Sequence, residues 1–372
     1  MRNAAIVIPT YNEKNNIGFL IKKINEVIKN LKNWNISTLV VDSKSPDNTS
    51  LVVKKLMRKY KNVHILETEK EGMGKAYARG FSYALKKLDP YVVFEMDADL
   101  SHDPEMIPYF LNEIEKGSDF VIGSRYIKGG SIPKDWAFYR KLFSVVGNLV
   151  IRFGFAKLKI TDWTSGFRAI KSWIIKDIVS VIDKYSGYVF QVAVLDNALK
   201  KNAVVSEIPI NFTDRIEGIS KINSFQFIYQ TIVYVLLNSS FIKYSIVGST
   251  AAIVDFGFSF IFIEIIRLKI WLATLFSVEL SIIYNFLLNN FWSFSHKRLE
   301  SKKSVFIKNF IKFNLIQSFS LFIQITGIQI LVNRFGPQWW YVYKFFILAI
   351  VIIPLSYFMY NKFIWKTRKN YK

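Results

Sequence analysis

Apolar and polar positions are arranged in two different ways along this chain of 372 residues. Before about residue 220, short apolar runs typical of buried strands alternate with segments whose apolar positions follow helical spacing. After about residue 243, long apolar runs rich in Ile, Phe and Leu dominate. This change predicts a soluble domain followed by a membrane domain.

The first part of the chain repeats the order strand, loop, helix. Such alternation predicts an α/β fold, with a Rossmann-like, mostly parallel sheet and helices on both faces, wound by right-handed crossovers. The loops that follow the strands would then share one crevice. The predicted strands are residues 4–8, 37–41, 63–66, the run from 91 to the carboxylates near 97, 120–122 and 204–212, and the predicted helices include 16–31, a helix beginning near 51, 76–87 and 136–155.

Two carboxylates one residue apart follow the fourth predicted strand. Asp97 and Asp99 flank the small residue Ala98, and residues alternating along an extended backbone point to the same side. Because ligands bind at the carboxyl ends of strands in open α/β sheets, this pair is a candidate metal and phosphate site. Hard oxygen ligands suit Mg²⁺ or Mn²⁺ carried in by a diphosphate. An Asp-X-Asp pair also occurs in solvated loops, so the pair alone does not establish a site.

Other loops of this domain offer glycine and cationic side chains. Gly72, Gly74 and Lys75 follow the third predicted strand and could cradle a phosphate or form an ordinary turn. Arg215 and Lys221 follow the last predicted strand, and a guanidinium there could clamp a diphosphate through paired hydrogen bonds. A solvated basic loop is the alternative.

The second part of the chain contains four apolar runs long enough to span a bilayer, at residues 244–266, 270–291, 313–332 and 341–363. The segment 223–242 has a broad apolar face with polar interruptions. It predicts a helix in the membrane interface, with a core helix of the soluble domain as the alternative. The predicted domains are therefore 1–222, an amphipathic interface helix at 223–242, and a four-helix transmembrane domain at 243–372.

Charge and composition narrow the function classes. The absence of Cys excludes a disulfide scaffold, a zinc-thiolate site and thiol catalysis, and only three His are present. Much of the net charge of +22 lies near the predicted spans, where lysines attract anionic lipid, so it does not require nucleic acid. The basic residues of the link between the second and third spans and of the carboxyl terminus are Lys297, Arg298, Lys302, Lys303, Lys308, Lys312, Lys362, Lys366, Arg368, Lys369 and Lys372.

The distribution of these charges predicts the orientation in the membrane. The first link between spans offers Arg267 and Lys269, and the last link mainly Arg334. The positive-inside rule therefore places both termini and the soluble domain in the cytoplasm. The chain enters a strand-like run directly after Met1-Arg2-Asn3, which leaves no room for a cleavable signal peptide.

Six short motifs occur along the soluble part of the chain. They are Pro9-Thr10-Tyr11-Asn12-Glu13, Val40-Val41-Asp42, Asp97-Ala98-Asp99, Gly123-Ser124-Arg125-Tyr126, Ser165-Gly166-Phe167 and residues 215–221. In their order and spacing these motifs resemble those of family 2 inverting glycosyltransferases of the dolichol-phosphate mannose synthase type, and residues 243–248 with 285–294 resemble the GtrA-like membrane domain that some members carry. The resemblance implies a GT-A fold and a divalent cation.

The resemblance also implies roles for individual residues. Asp99 would ligate the metal, with Asp97 and Ser101 as further candidate ligands. Arg125, Arg140 and Ser144 match positions near the sugar and the acceptor phosphate, and Asp99, Arg125 and Arg140 would be the catalytic group. The residues that would bind the nucleotide sugar are Pro9, Tyr11, Glu13, Val41, Asp42, Ser43, Asp97, Ala98, Asp99, Arg125, Arg215 and Lys221.

Two departures from the family pattern affect these expectations. Many relatives have a second acidic residue where this chain has Ser43, which weakens any inference about a base. Synthases of this type often have Gln where this chain has Ser101, which removes a family metal ligand; the serine could coordinate directly or through water.

The predicted function is the inverting transfer of a hexose to dolichyl or another polyprenyl phosphate. Mannose from GDP-mannose is the first prediction, and the near alternative is a UDP-glucose-dependent polyprenyl-phosphate glucosyltransferase. A lipid-binding or lipid-translocating membrane protein with a regulatory soluble domain is the alternative of a different class. The expected partners are a nucleotide sugar, a polyprenyl phosphate and membrane lipids.

Overall fold

The computed structural model describes residues 1–185, 187–214 and 224–366. The chain divides into two compact units, Met1–Val235 and Leu236–Lys372. Arg215 and Lys221, both predicted to bind the diphosphate, lie outside the described residues.

The described residues of the first unit form an α/β domain with a seven-stranded sheet. The strands are β1 Arg2–Thr10, β2 Trp34–Asp42, β3 Val63–Glu67, β4 Val92–Glu95, β5 Phe120–Ser124, β6 Arg168–Lys171 and β7 Val205–Pro209. The helices are α1 Lys14–Ile28, α2 Thr49–Lys59, α3 Met73–Lys87, α4 Ile107–Glu115, α5 Phe138–Gly154, α6 Ser172–Ile182, α7 Phe190–Lys200 and α8 Ser224–Asn238.

The sheet confirms the predicted architecture, and it contains one strand that the sequence pattern missed. The strand order is β3-β2-β1-β4-β6-β5-β7. Every pairing is parallel except those of β6, which runs antiparallel to both β4 and β5. No strand was predicted between residues 122 and 204, whereas β6 occupies Arg168–Lys171. Because β6 lies between β4 and β5, it is an interior strand of the sheet.

Burial explains why β1 forms the middle of the parallel half. Residues 4–8 are buried on both faces of the sheet, between β2 and β4, as expected for strands covered by helices on each side. Gly80 lets α3 lie close to the sheet, because a Cβ there would be 2.5 Å from Val7 Cγ1 and 2.8 Å from Val41 Cγ2. The carboxyl ends of β1, β2 and β4 therefore meet at one edge.

The glycine loop after β3 differs from its prediction. The helix was expected to begin at residue 76, but α3 begins at Met73, so Gly74 and Lys75 lie in its first turn. A Cβ at Gly74 would be 2.0 Å from the carbonyl oxygen of Tyr185. This glycine is required for close packing of α3 against the segment before α7, and Lys75 pairs with Glu71 at 3.3 Å.

Helix α8 has one face in the first unit. Thr231, Tyr234 and Val235 are buried, and Tyr234 Oη donates to Asp196 Oδ2 at 2.8 Å. Tyr229 and Ile232 are exposed on the other face. The buried face thus agrees with the alternative of a core helix of the soluble domain. The exposed apolar face remains available for the predicted membrane interface.

Among its described residues, the second unit contains four helical segments long and apolar enough to cross a membrane. They are Ser240–Ile265, Leu272–Ser293, Lys303–Phe335 and Val342–Phe363. The third is longer than the predicted run, because its polar first turns are also helical. The helices of this unit are α9 Ser240–Phe260, α10 Ile270–Leu288, α11 Lys303–Phe335, α12 Trp340–Phe346 and α13 Ile353–Phe363.

Aromatic rings and buried amides hold this unit together. Phe294 stacks on Trp365 with ring centroids 4.5 Å apart, and Asn290 Oδ1 accepts hydrogen bonds from Trp365 Nε1 and from the Leu299 amide, both at 3.0 Å. Asp255 in α9 accepts from Ser277 Oγ in α10 at 2.7 Å. An ionisable group within an apolar helix thus has a polar partner on its neighbour.

Candidate active site

A cavity of about 390 Å³ lies at the carboxyl edge of the sheet. Its size is in the range of small-molecule and cofactor sites. The loops after β1, β2, β3 and β4 contribute to its walls, as expected for an open α/β sheet. The lining residues are Pro9, Thr10, Tyr11, Glu13, Ser43, Lys70, Glu71, Gly72, Met73, Ala76, Asp97, Ala98, Asp99, Gly187, Tyr188, Gln226, Phe227 and Gln230.

Asp99 is more deeply buried than Asp97, with 5% of the residue exposed. Its Oδ1 accepts hydrogen bonds from the Ser101 amide at 3.2 Å and from Ser101 Oγ at 2.6 Å. Leu100 has a φ of 66°, so the chain turns sharply between the two residues. Ser101, a candidate third metal ligand, donates its hydroxyl hydrogen to Asp99 and orients that carboxylate.

Asp97 is held by a histidine that the sequence did not assign. The Asp97 amide donates to His102 Nδ1 at 3.1 Å, and the imidazole stacks on Phe167 at 5.0 Å. Burial lowers the pKa of His102 to about 4, so the ring is neutral and its Nδ1 accepts at pH 7. A Cβ at Gly166 would be 3.3 Å from Asp97 Oδ2. This glycine therefore leaves the carboxylate its space.

The loop after β1 forms a second wall of the cavity. Pro9, Tyr11 and Glu13 line it, and Lys70 Nζ lies 3.8 Å from the centre of the Tyr11 ring. Glu13 is fixed through its amide, which donates to Thr49 Oγ1 at 3.0 Å. Three residues predicted to bind the nucleotide thus share one wall.

The loop after β2 contributes Ser43 directly and Asp42 indirectly. Ser43 lines the cavity, whereas Val41 and Asp42 are completely buried outside its lining. Asp42 accepts from Thr10 Oγ1 at 2.9 Å and from Ser45 Oγ at 2.6 Å. Its carboxylate joins the loops after β1 and β2, which positions the wall described above.

Arg125 lies outside this lining and forms a buried ion pair with Asp162. Its Nε and Nη2 donate to the two carboxylate oxygens of Asp162, each at 2.8 Å, and Nη2 also donates to Thr164 Oγ1 at 2.9 Å. Burial alone would lower the pKa of Arg125 and raise that of Asp162, but the pair reverses both directions, so both remain charged. The negative charge of Asp97 also raises the pKa of Arg125, so the two side chains interact electrostatically.

Arg140 and Ser144 lie one turn apart on α5. The Arg140 guanidinium is 3.9 Å from the centre of the Trp136 ring and 3.4 Å from Asp214, and its side chain is 41% exposed. Ser144 Oγ forms a hydrogen bond with the hydroxyl of Tyr126. The structure therefore places Ser144 beside the residue that follows Arg125, and leaves Arg140 accessible at the surface.

Asn148 connects α5 to the Arg125 loop and was not predicted. Its Nδ2 donates to the Ser144 carbonyl at 2.9 Å and to Thr164 Oγ1 at 3.3 Å, and its Oδ1 accepts from the Trp163 amide at 2.8 Å. This buried amide fixes α5 relative to the residues that hold the guanidinium. No local sequence signal identifies it, because its partners lie on separate elements.

A second buried ion pair lies on the strands behind the carboxylates. Glu95 and Arg168 are register partners of β4 and β6, both completely buried, with Arg168 Nε 3.8 Å from Glu95 Oε2. Burial raises the pKa of Glu95 to about 7, although the charge of Arg168 opposes this. The pair joins the strand that leads to Asp97 to the antiparallel strand beside it.

The donor set of the cavity fits a divalent cation that arrives with a diphosphate. Among the described residues, no group of three or more His, Asp or Glu side chains could hold a metal alone. Asp97 and Asp99 nevertheless line one cavity, and Mg²⁺ is usually bound by one or two carboxylates together with substrate phosphate oxygens. The two aspartates therefore suffice for such a site.

These features define an α/β domain with a ligand-sized cavity at the carboxyl edge of its sheet, followed in the same chain by helices long and apolar enough to cross a membrane. Residues 5–197 match glycosyl transferase family 2, and residues 243–365 match the GtrA/DPMS transmembrane domain. The chain belongs to the family 2 glycosyltransferases, as its motifs predicted.

Three relatives extend this assignment. The chain is 36% identical to a dolichol-phosphate mannosyltransferase of Pyrococcus furiosus over 312 residues, which is 82% of this chain and 84% of that protein. It is 35% identical to a polyprenol monophosphomannose synthase of Mycolicibacterium smegmatis over 59% of this chain and 80% of that protein. It is also 34% identical to an undecaprenyl-phosphate mannosyltransferase of Micrococcus luteus over 58% and 86% of the two chains.

Proposed function

We propose that this membrane glycosyltransferase transfers mannose from GDP-mannose to dolichyl or another polyprenyl phosphate, with inversion at the anomeric carbon. The product would be a lipid-phosphate sugar that serves as a donor in later glycosylation. The observation that carries the proposal is the pair Asp97 and Asp99 in a nucleotide-sized cavity, in a chain whose relatives bear the names of mannosyltransferases acting on lipid phosphates.

Helix α5 supports a lipid acceptor. Its outer face is apolar and exposed, which is unusual for a soluble surface and typical of a site that contacts membrane or protein. Arg140 lies on the same helix with a partly exposed guanidinium, which suits a phosphate at the boundary between water and lipid. The exposed apolar residues of α5 are Phe138, Tyr139, Leu142, Phe143, Val145, Val146, Leu149, Val150 and Phe153.

The chemistry requires alignment of two anionic partners more than it requires a base. A phosphate monoester has a second pKa of about 6. The acceptor phosphate is therefore already an anionic nucleophile at neutral pH. One phosphate oxygen attacks the anomeric carbon, the bond to the nucleoside diphosphate breaks, and the leaving group carries away the electron pair. A divalent cation bound by Asp97 and Asp99 would neutralise charge on that leaving group. Arg125, fixed by Asp162, would hold the acceptor phosphate against the sugar.

The proposed membrane orientation places the soluble unit and both termini in the cytoplasm, from the distribution of basic residues. Since the chain has no native Cys, single thiols can report on the two sides of the membrane: Ser301→Cys lies in the second link between spans, and Asn333→Cys is exposed in the last turn of the third span, beside the third link. We expect a membrane-impermeant thiol reagent added to intact cells to label the Asn333→Cys variant and to spare the Ser301→Cys variant. The opposite pattern would contradict the orientation.

A comparison of donors tests the proposed sugar. Full-length protein in lipid vesicles that contain polyprenyl monophosphate and Mg²⁺ or Mn²⁺ is incubated with labelled GDP-mannose or UDP-glucose. We expect lipid-linked label from GDP-mannose. Label from UDP-glucose alone would establish the glucosyltransferase alternative. Failure with both donors, in a protein that still binds lipid vesicles, would favour the alternative of a lipid-binding or translocating protein.

A further inference from the structure

We infer that the amino-terminal half of α8 is part of the donor site, and that Gln230 and Gln226 contact hydroxyl groups of the bound sugar nucleotide. The inference rests on the proposed function and adds specificity-determining residues to it. Helix α8 directly precedes the first membrane-spanning helix in the chain. Its role therefore extends beyond that of a linker.

The position of α8 against the cavity is the first observation. Gln226, Phe227 and Gln230 line the same cavity as Asp97 and Asp99. The Tyr188 and Phe227 rings meet edge to face with centroids 6.3 Å apart, which forms an aromatic wall. Because residues three and four apart share one helix face, Gln226 and Gln230 project from α8 on the same side.

The fit of the Gln230 amide is the second observation. A Cβ at Gly187 would be 2.9 Å from Gln230 Oε1. Glycine at this position therefore leaves room for the amide to lie against the backbone before α7. In a site where a few polar groups among apolar walls fix the orientation of a ligand, such an amide is a natural contact.

The chemistry of the two amides indicates which part of the donor they contact. A glutamine side chain both donates and accepts hydrogen bonds and carries no charge. This matches sugar hydroxyls, which also donate and accept, better than it matches an anionic diphosphate, which favours cations. The ribose and the hexose are the hydroxyl-bearing parts of the donor.

Buried contacts hold α8 in this position. Tyr234, one turn after Gln230, is 5% exposed and donates its hydroxyl hydrogen to Asp196 in α7 at 2.8 Å. A Cβ at Gly154, the last residue of α5, would be 2.3 Å from Val235 Cγ1. The helix is thus packed on both α5 and α7, so its first turns form a fixed wall.

Thiol protection tests the inference without requiring catalysis. Full-length Gln230→Cys protein carries a single thiol, because the natural chain has none. We expect GDP-mannose with Mg²⁺ at about ten times its Kd to slow alkylation of that thiol about tenfold. The matched control is Asn112→Cys, on the exposed surface of α4, whose alkylation should not change. UDP-glucose with Mg²⁺ is the probe if the wild type uses that donor.

Kinetics provide the second measurement. Gln230→Leu and Gln226→Leu should each raise the KM for the donor about three- to tenfold, as for loss of a neutral hydrogen bond, and leave the KM for the lipid unchanged. Asn112→Leu should leave both values unchanged. Equal alkylation of the Gln230→Cys variant with and without a donor that calorimetry shows to be bound would overturn the inference. A wild type that binds donor and transfers no sugar would instead overturn the proposed function.

Discussion

Replacing Asp99 by Asn should abolish measurable transfer while leaving the protein folded. The substitution removes the charge that the proposed divalent cation requires, and charge stabilisation by a bound cation amounts to several kcal/mol, so turnover should fall by at least about a hundredfold. The amide oxygen of Asn can still accept the two hydrogen bonds that Ser101 donates. Turnover with labelled donor and thermal unfolding measure the two effects separately.

The control for this substitution lies four residues further along the same loop. Asp103→Asn makes the same chemical change at a carboxylate that pairs with Lys23 at 2.8 Å and is 46% exposed. We expect its turnover to be close to that of the wild type, because a surface ion pair contributes only about 0–1 kcal/mol. Transfer by Asp99→Asn at the rate of Asp103→Asn would disprove the metal assignment.

Replacing Arg125 by Lys should reduce transfer by about a hundredfold or more. It should also weaken binding of the lipid-phosphate acceptor, with little change in affinity for the donor. Lysine keeps the charge but cannot reproduce the paired hydrogen bonds that the guanidinium makes to Asp162. The lysine ammonium group would then be misplaced relative to the acceptor phosphate. Loss of a preorganised group of this kind lowers turnover by a factor of about 10²–10³. The KM for the lipid phosphate measures the effect on the acceptor, and the calorimetric affinity for GDP measures the effect on binding of the nucleotide part of the donor.

Two further variants separate catalysis from stability. Asp162→Asn retains Arg125 but loosens its position, so we expect an intermediate loss of turnover and a higher KM for the lipid. Arg58→Lys repeats the arginine change on the exposed surface of α2 and should alter neither quantity. If Arg125→Lys lowered only the unfolding temperature and transferred sugar at the wild-type rate, Arg125 would be a structural residue alone.

Local patterns predicted much of the fold. The strands β1 and β2 were predicted because their short apolar runs suit the buried core of a sheet. The four long apolar runs were predicted because their length suits a membrane-spanning helix. Strand β6 was missed because its four residues include Arg168 and Lys171 and follow a segment dense in turn formers. Its conformation depends on pairing with β4 and β5, which a local pattern does not encode.

The site was predictable where it follows a strand and was not where it is assembled by distant elements. Pro9 lies at the carboxyl end of β1, and Tyr11, Asp97 and Asp99 lie in the loops after β1 and β4, which are neighbours in the sheet. Their meeting in one cavity therefore follows from the strand order. The role of Asp162 depends on Arg125, which is 37 residues away. The contribution of α8 depends on packing against α5 and α7. Neither contact produces a periodic pattern in the sequence from which it could be predicted.

In the proposed reaction, a lipid monophosphate accepts the sugar. Full-length protein with labelled GDP-mannose and Mg²⁺ is given vesicles that contain polyprenyl monophosphate, polyprenyl diphosphate or unphosphorylated polyprenol, and label in the organic phase is counted. The proposed function predicts organic-phase label with the monophosphate and background label with the polyprenol and the diphosphate. Equal transfer to the unphosphorylated polyprenol, or label recovered only as free sugar, would contradict it.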